Sequence, residues 1–171
     1  MTGGVTDPQP AARWYRGGPM TETETATFRR AVIALSGGPS DARIVRLVSG
    51  QAARSKAEVI ALHVVEIDWT LPLDADIAGR SEEVQRILDT AEAIAEQSKV
   101  TLDPVLLQAR DVGAAIVDEA TERDSDLLVV GLPYRKRFGG EFAIGRTIPY
   151  ILQNAPCTVW IVREPMPEES V

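Results

Sequence analysis

Two glycine-rich segments hold the residues whose types and spacing could do chemistry. The first is Ser36-Gly37-Gly38-Pro39-Ser40, directly after an apolar run; the second covers residues 131–147 and contains Gly131, Gly139, Gly140 and Gly145. Glycine lets backbone N–H groups come close to a ligand. The second segment also carries Arg135, Lys136, Arg137 and Arg146 against one acid, Glu141, so its net charge is +3 in a chain of net charge −7. It leads into a helical pattern that starts at Thr147, and a helix N-terminus bears partial positive charge. Amide donors, guanidinium groups and a helix start together favour a phosphate. The candidate site is Ser36, Gly37, Gly38, Gly131, Arg135, Gly139, Gly140, Gly145, Arg146 and Thr147, with Val64 as an apolar contact for the body of the ligand.

Other chemistries compete for the same residues. ATP pyrophosphatases carry SGGxDS after a first strand, where glycine amides hold pyrophosphate. This chain reads Ser36-Gly37-Gly38-Pro39-Ser40-Asp41, with the acid one residue late, and is short for a substrate-adenylating domain. Pyrophosphate release from ATP would discriminate that enzyme from a binding protein. His63, the single histidine, sits inside an apolar run and is expected to be a partnered core residue rather than a general base. Cys157 opens another apolar run and should behave as a small hydrophobe. Glu66, Asp68, Asp74 and Asp76 lack the spacing of a calcium loop and are expected to be a solvated acidic loop. No nucleophile–base–orienter set can be assembled, so a binding protein is expected, not an enzyme. No metal is expected beyond a magnesium ion carried in with phosphates.

The elements that must position these residues are legible from periodicity. Apolar runs at 31–35, 58–65, 101–107, 127–130 and 157–162 are expected strands. Between them lie helical patterns at 40–56 (apolar stripe Ile44, Leu47, Val48, Ala52), 77–98 (Val84, Ile87, Leu88, Ala91, Ile94, Ala95), 111–123 and 147–154. Asp111 is the N-cap of the third helix, which should bury Ile116, Val117 and Ala120. Pro149 falls in the first turn of the fourth, where proline is tolerated. Continuously apolar strands separated by helices predict a doubly wound α/β fold: an open parallel five-stranded sheet, helices on both faces. Right-handed crossovers favour the order 3-2-1-4-5, and Pro104 places the third strand at an edge. Ligands of such sheets bind beyond the strand carboxyl ends where the order reverses, here between strands one and four. Both glycine-rich segments converge there.

Composition bounds the remainder. The chain has 171 residues, enough for one domain with a substantial core, and only 5% aromatic residues, so that core must be aliphatic. Residues 1–28 show no apolar periodicity and are expected to be a disordered leader, 29–164 the domain, and 165–171 a flexible tail. Net acidity argues against a broad nucleic-acid surface, and no apolar run is long enough to span a bilayer. One cysteine forbids an intrachain disulfide, in keeping with an expected cytoplasmic location. The fifth strand is the other sheet edge. It carries neither proline nor an internal charge, and Trp160 adds apolar surface, so a homodimer is expected through Thr158, Val159, Trp160 and Ile161.

Across 29–164 the chain resembles the universal stress protein family. The matching pieces are AVIAL in the first strand, ALHVV in the second, SDLLVVG before the basic segment, IGRT, and NAPCTVWIV. The resemblance implies a homodimeric stress-response or regulatory protein that binds ATP, AMP or a cyclic nucleotide such as cyclic AMP. It also extends to stress-protein domains appended to some amino-acid permeases, which implies a ligand-free interaction module regulating a transporter as an alternative. ATP-binding members carry G-x2-G-x9-G-[S/T] and an aspartate after the first strand. Here Gly131 matches the first glycine, Tyr134 replaces the second, Gly145 comes one residue late, Arg146 replaces the small hydroxyl residue, and Ser36 stands in the aspartate's place. These differences imply a longer, more basic phosphate cradle with a weaker sugar contact. Ordering of residues 131–147 by ligand phosphates would then change what a partner recognises.

Overall fold

Branched aliphatic residues alternate between two faces along each apolar run, and the chain buries both faces. A computed structural model describes residues 28–72, 80–132 and 144–163, with only the backbone described for Arg80 and Ser81. Most of the expected leader, the first turn expected for the second helix, Asp74, Asp76, Arg135, Gly139, Gly140 and the tail lie outside the described residues.

The strands are β1 (Arg30–Leu35), β2 (Glu58–Glu66), β3 (Leu102–Ala109), β4 (Leu127–Leu132) and β5 (Thr158–Arg163). They form one all-parallel sheet in the order β3-β2-β1-β4-β5, as expected. Pro104 stands in β3, which among the described strands pairs only with β2, so its missing N–H removes no ladder bond on the outer side. Helices α1 (Asp41–Ser55) and α2 (Arg80–Glu96) cover one face over Ile33, Leu35, Ala61 and Val129. On the other face, α3 (Val112–Glu122) and α4 (Thr147–Asn154) cover Val32, Leu62, Leu128 and Val130. Adjacent residues of one strand thus belong to different cores, the period-2 rule of a sheet buried on both sides.

Local details follow from side-chain chemistry. Asp111 caps α3 by accepting from the Ala114 amide at 2.9 Å, as expected. The α1 stripe differs from expectation: Val45 is buried and Leu47 is 43% exposed. At about 100° per residue, Leu47 falls roughly 115° from the centre of the stripe set by Ile44, Val45, Val48 and Ala52. The β1 and β4 starts are tied by Asp126. Its carboxylate accepts from the Arg29 amide (3.0 Å to each oxygen), the Arg30 amide (2.9 Å) and Arg29 Nε (3.4 Å). Burial works to raise the Asp126 pKa, but the Arg30 and Arg29 donors together hold it below the usual carboxylate value.

Two residues at the domain margin depart from expectation. Phe28, placed in the leader, is buried, and its ring meets Trp160 edge-on at 6.2 Å. Trp160 therefore leans into its own core rather than presenting a bare apolar face, because the aromatic pair withdraws both rings from water. Ile161 is the exposed apolar side chain of β5. No described helix is long and apolar enough to cross a membrane.

Candidate functional site

Because β1 feeds α1 on one face and β4 feeds α4 on the other, the chain diverges between these strand ends and leaves a crevice. A cleft of about 610 Å³ occupies it, within the range of small-molecule sites. Ala34, Leu62, Val64, Val130 and Leu132 form its floor, while Val112 and Ile116 of α3 and Ile148 of α4 form apolar walls. Ser36, His63, Glu66, Gly145 and Thr147 supply the polar lining. The result is an apolar slot with hydrogen-bonding groups, suited to a flat, largely apolar body joined to a polar or anionic group.

The polar end is built on the start of α4. Arg146 occupies the capping position in helical conformation, and its own side chain makes no capping hydrogen bond. Pro149 has no N–H, so the first-turn amides without a carbonyl four residues back include those of Thr147 and Ile148, both on the cleft wall. With the helix dipole behind them, these amides favour an anion. Gly145, just before, has nothing within 4 Å of where a Cβ would stand. Arg146 itself is not part of the lining. Its side chain is 92% exposed, and Nη2 lies 3.9 Å from Glu66 Oε1.

The first glycine-rich turn behaves differently from expectation. Asp41, in the first turn of α1, accepts from the Ser36 amide (3.2 Å), the Ser36 hydroxyl (3.3 Å) and the Gly37 amide (2.7 Å). The Gly38 amide donates to Ser36 Oγ at 3.3 Å. All three amides of the turn are therefore engaged within the chain, which contradicts their availability to pyrophosphate or phosphate. Gly37 and Gly38 border a separate hollow on the α1–α2 side, against Arg86 and Ile87. Gly37 is required by its φ of 79° and by Ile87 Cδ1, 2.9 Å from a would-be Cβ. Ser36 alone of the turn reaches the cleft. Burial pushes the Asp41 carboxyl above its ordinary value, opposed by the bonds from Ser36 and Gly37. Asp41 had signalled itself only as an acid soon after a Ser-Gly-Gly turn, and periodicity gave no hint that it would hold that turn.

The other expected residues divide cleanly. Ser36, Val64, Gly131, Gly145 and Thr147 come together in the cleft, while Arg135, Gly139 and Gly140 lie outside the described residues. His63 is partnered, as expected: Nδ1 donates to the Leu35 carbonyl at 2.9 Å, which fixes the proton on that nitrogen. It lines the cleft rather than the sealed core. Cys157 is half-buried, and burial followed by the Asp126 charge pushes its thiol up, away from reactivity. Asp68 binds the Thr70 hydroxyl and amide, which lower its pKa. Among the described residues, no group of three or more His, Cys, Asp and Glu could hold a metal.

Gly131 owes its identity to packing. A Cβ there would stand 2.6 Å from Ser40 Oγ and 3.2 Å from Ile44 Cδ1, both buried beneath the α1 start. Gly131→Ala should lower stability by about 1–3 kcal/mol through overpacking, read as a lower urea midpoint. An unchanged midpoint would show that α1 yields without cost.

Comparison with known proteins follows the same lines. The family model described as the universal stress protein family matches residues 27–163. The chain is 30% identical over 144 residues to the sensor protein KdpD of Mycobacterium tuberculosis (strain CDC 1551 / Oshkosh), matching 82% of this chain. It spans about 15% of that relative's length. Among solved structures, a universal stress protein in complex with cAMP shares 21% identity at a TM-score of 0.63, covering 82% of this chain and 100% of that one. The universal stress protein of Archaeoglobus fulgidus in complex with dAMP shares 19% identity at a TM-score of 0.62, covering 80% and 98%. At these identities the two structures establish a common fold.

Proposed function

The chain belongs to the universal stress protein family, and we propose that it binds an adenine nucleotide in the cleft between β1 and β4 and acts as a regulator rather than a catalyst. The observation that carries this reading is the pairing of an apolar slot with the start of α4, where the Arg146 side chain makes no capping bond. The base enters against Val64, Val112 and Ile116. Its phosphate takes the Thr147 and Ile148 amides next to Gly145, where bare backbone leaves room. Structural neighbours in complex with cAMP and with dAMP support this class of ligand. Ser36 offers a hydroxyl near the sugar in place of a carboxylate.

In this reading the ligand is held and released unchanged. Any magnesium would arrive with the phosphates. A cytoplasmic homodimer joined at the β5 edge completes the reading, since β5 pairs on one side only among the described strands. The KdpD likeness favours a second reading: an input domain whose loading state alters contact with a partner, a transporter included.

Calorimetry with AMP, cyclic AMP and ATP tests the proposal. Micromolar binding of at least one is expected, with the nucleotide recovered intact by chromatography. No heat from any of the three, together with no nucleotide released from denatured protein, would leave only the interaction module. Sedimentation on the same sample should show a dimer, and a monomer at all concentrations removes the β5 interface.

A further inference from the structure

We propose that Glu66 is the charge-selecting residue of the cleft, so that the site takes nucleotides with one phosphate in preference to ATP. The inference rests on the nucleotide reading above. Glu66 is the last residue of β2, two positions beyond Val64, and strand alternation turns both to the same face. Val64 forms floor and Glu66 forms rim. Among the described residues lining the cleft, Glu66 is the one acidic side chain, and no lysine or arginine joins it there.

Arg146 approaches the same rim from the opposite wall. Its backbone precedes the amides that seek an anion, while its guanidinium faces the Glu66 carboxylate at 3.9 Å. An incoming phosphate must share Arg146 with that carboxylate. One phosphate is served by the α4 amides and half of that cation. With the base in the apolar slot, a second and third phosphate extend outward along the rim, and each adds negative charge opposite Glu66. Negative groups gathered on one rim repel by an amount that falls as salt rises, because the Glu66 side chain is solvent-exposed.

Titration calorimetry at low ionic strength, without divalent cations, compares AMP with ATP on the intact protein. Wild type should prefer AMP by about tenfold, and Glu66→Gln should reduce that ratio to about twofold by removing a charge while keeping the shape. Glu66→Asp should restore most of the preference, and added salt should erode it in wild type alone. Thermal melting should place all three proteins together, since an exposed pair contributes little to stability. Equal binding of AMP and ATP by wild type, or an unchanged ratio in Glu66→Gln, overturns the selection role and leaves nucleotide binding standing. Absence of binding by every protein overturns both.

Discussion

Gly145→Val should weaken AMP binding by about tenfold to a hundredfold, a loss of about 1.4–2.8 kcal/mol, while the melting temperature stays within about a degree of wild type. The two halves of this result come from the same observation. A Cβ at Gly145 would meet nothing within 4 Å, and its φ is not in the left-handed region, so the backbone accepts a larger residue without strain. That open space is the approach to the Thr147 and Ile148 amides. A branched side chain would occupy it, and a phosphate would lose both amide contacts and the field of the helix. Calorimetry and thermal melting on one preparation decide the matter. Unaltered affinity would move the anion site away from α4.

Asp126→Ala should lower unfolding free energy by about 2–3 kcal/mol at neutral pH, the scale of losing hydrogen bonds to a charged acceptor. The carboxylate serves the Arg29 and Arg30 amides and the Arg29 guanidinium at once, and its removal strands donors where β1 enters the sheet. The effect carries a pH signature. The folded pKa lies below the unfolded 3.8, so this stabilisation is present above about 3.8 and is lost as pH falls through the lower folded value. The gap between wild type and variant should therefore close in strong acid. Asp41 acts with the opposite sign. Its folded pKa is raised, so its contribution is complete below 3.8 and declines as pH rises through the folded value. Urea titrations at stepped pH read both trends, and a gap that persists into strong acid would show that Asp126 acts through packing.

Strand order, helix placement and the location of the cleft were legible because each rests on a local regularity. Pro104 marks an edge wherever it stands in a sheet, Asp111 caps whichever helix follows it, and apolar runs between helices must be covered on both faces. Gly145 and Thr147 were legible for the same reason, since a small residue before a helix start is a backbone property. The glycines of the two segments divide: Asp41 takes the Ser36 and Gly37 amides of the first turn, whereas Gly131 lines the cleft and also lies against the α1 start. Glycine marks a close approach without naming what approaches. Leu47 and Trp160 went astray similarly, because orientation relative to neighbouring elements has no counterpart in composition.

The amino-acid sequence by itself determined the order of strands and helices, the two-sided burial and the end of the sheet at which a ligand can enter. These follow from period-2 and period-3.6 patterns, which act over a few residues. Only the tertiary structure decided that Asp41 occupies the first turn, that Phe28 covers Trp160, and that Glu66 meets Arg146 across the rim. Those partners lie from four to 132 positions apart along the chain, and short-range patterning carries no record of which distant side chain will arrive in hydrogen-bonding or packing range.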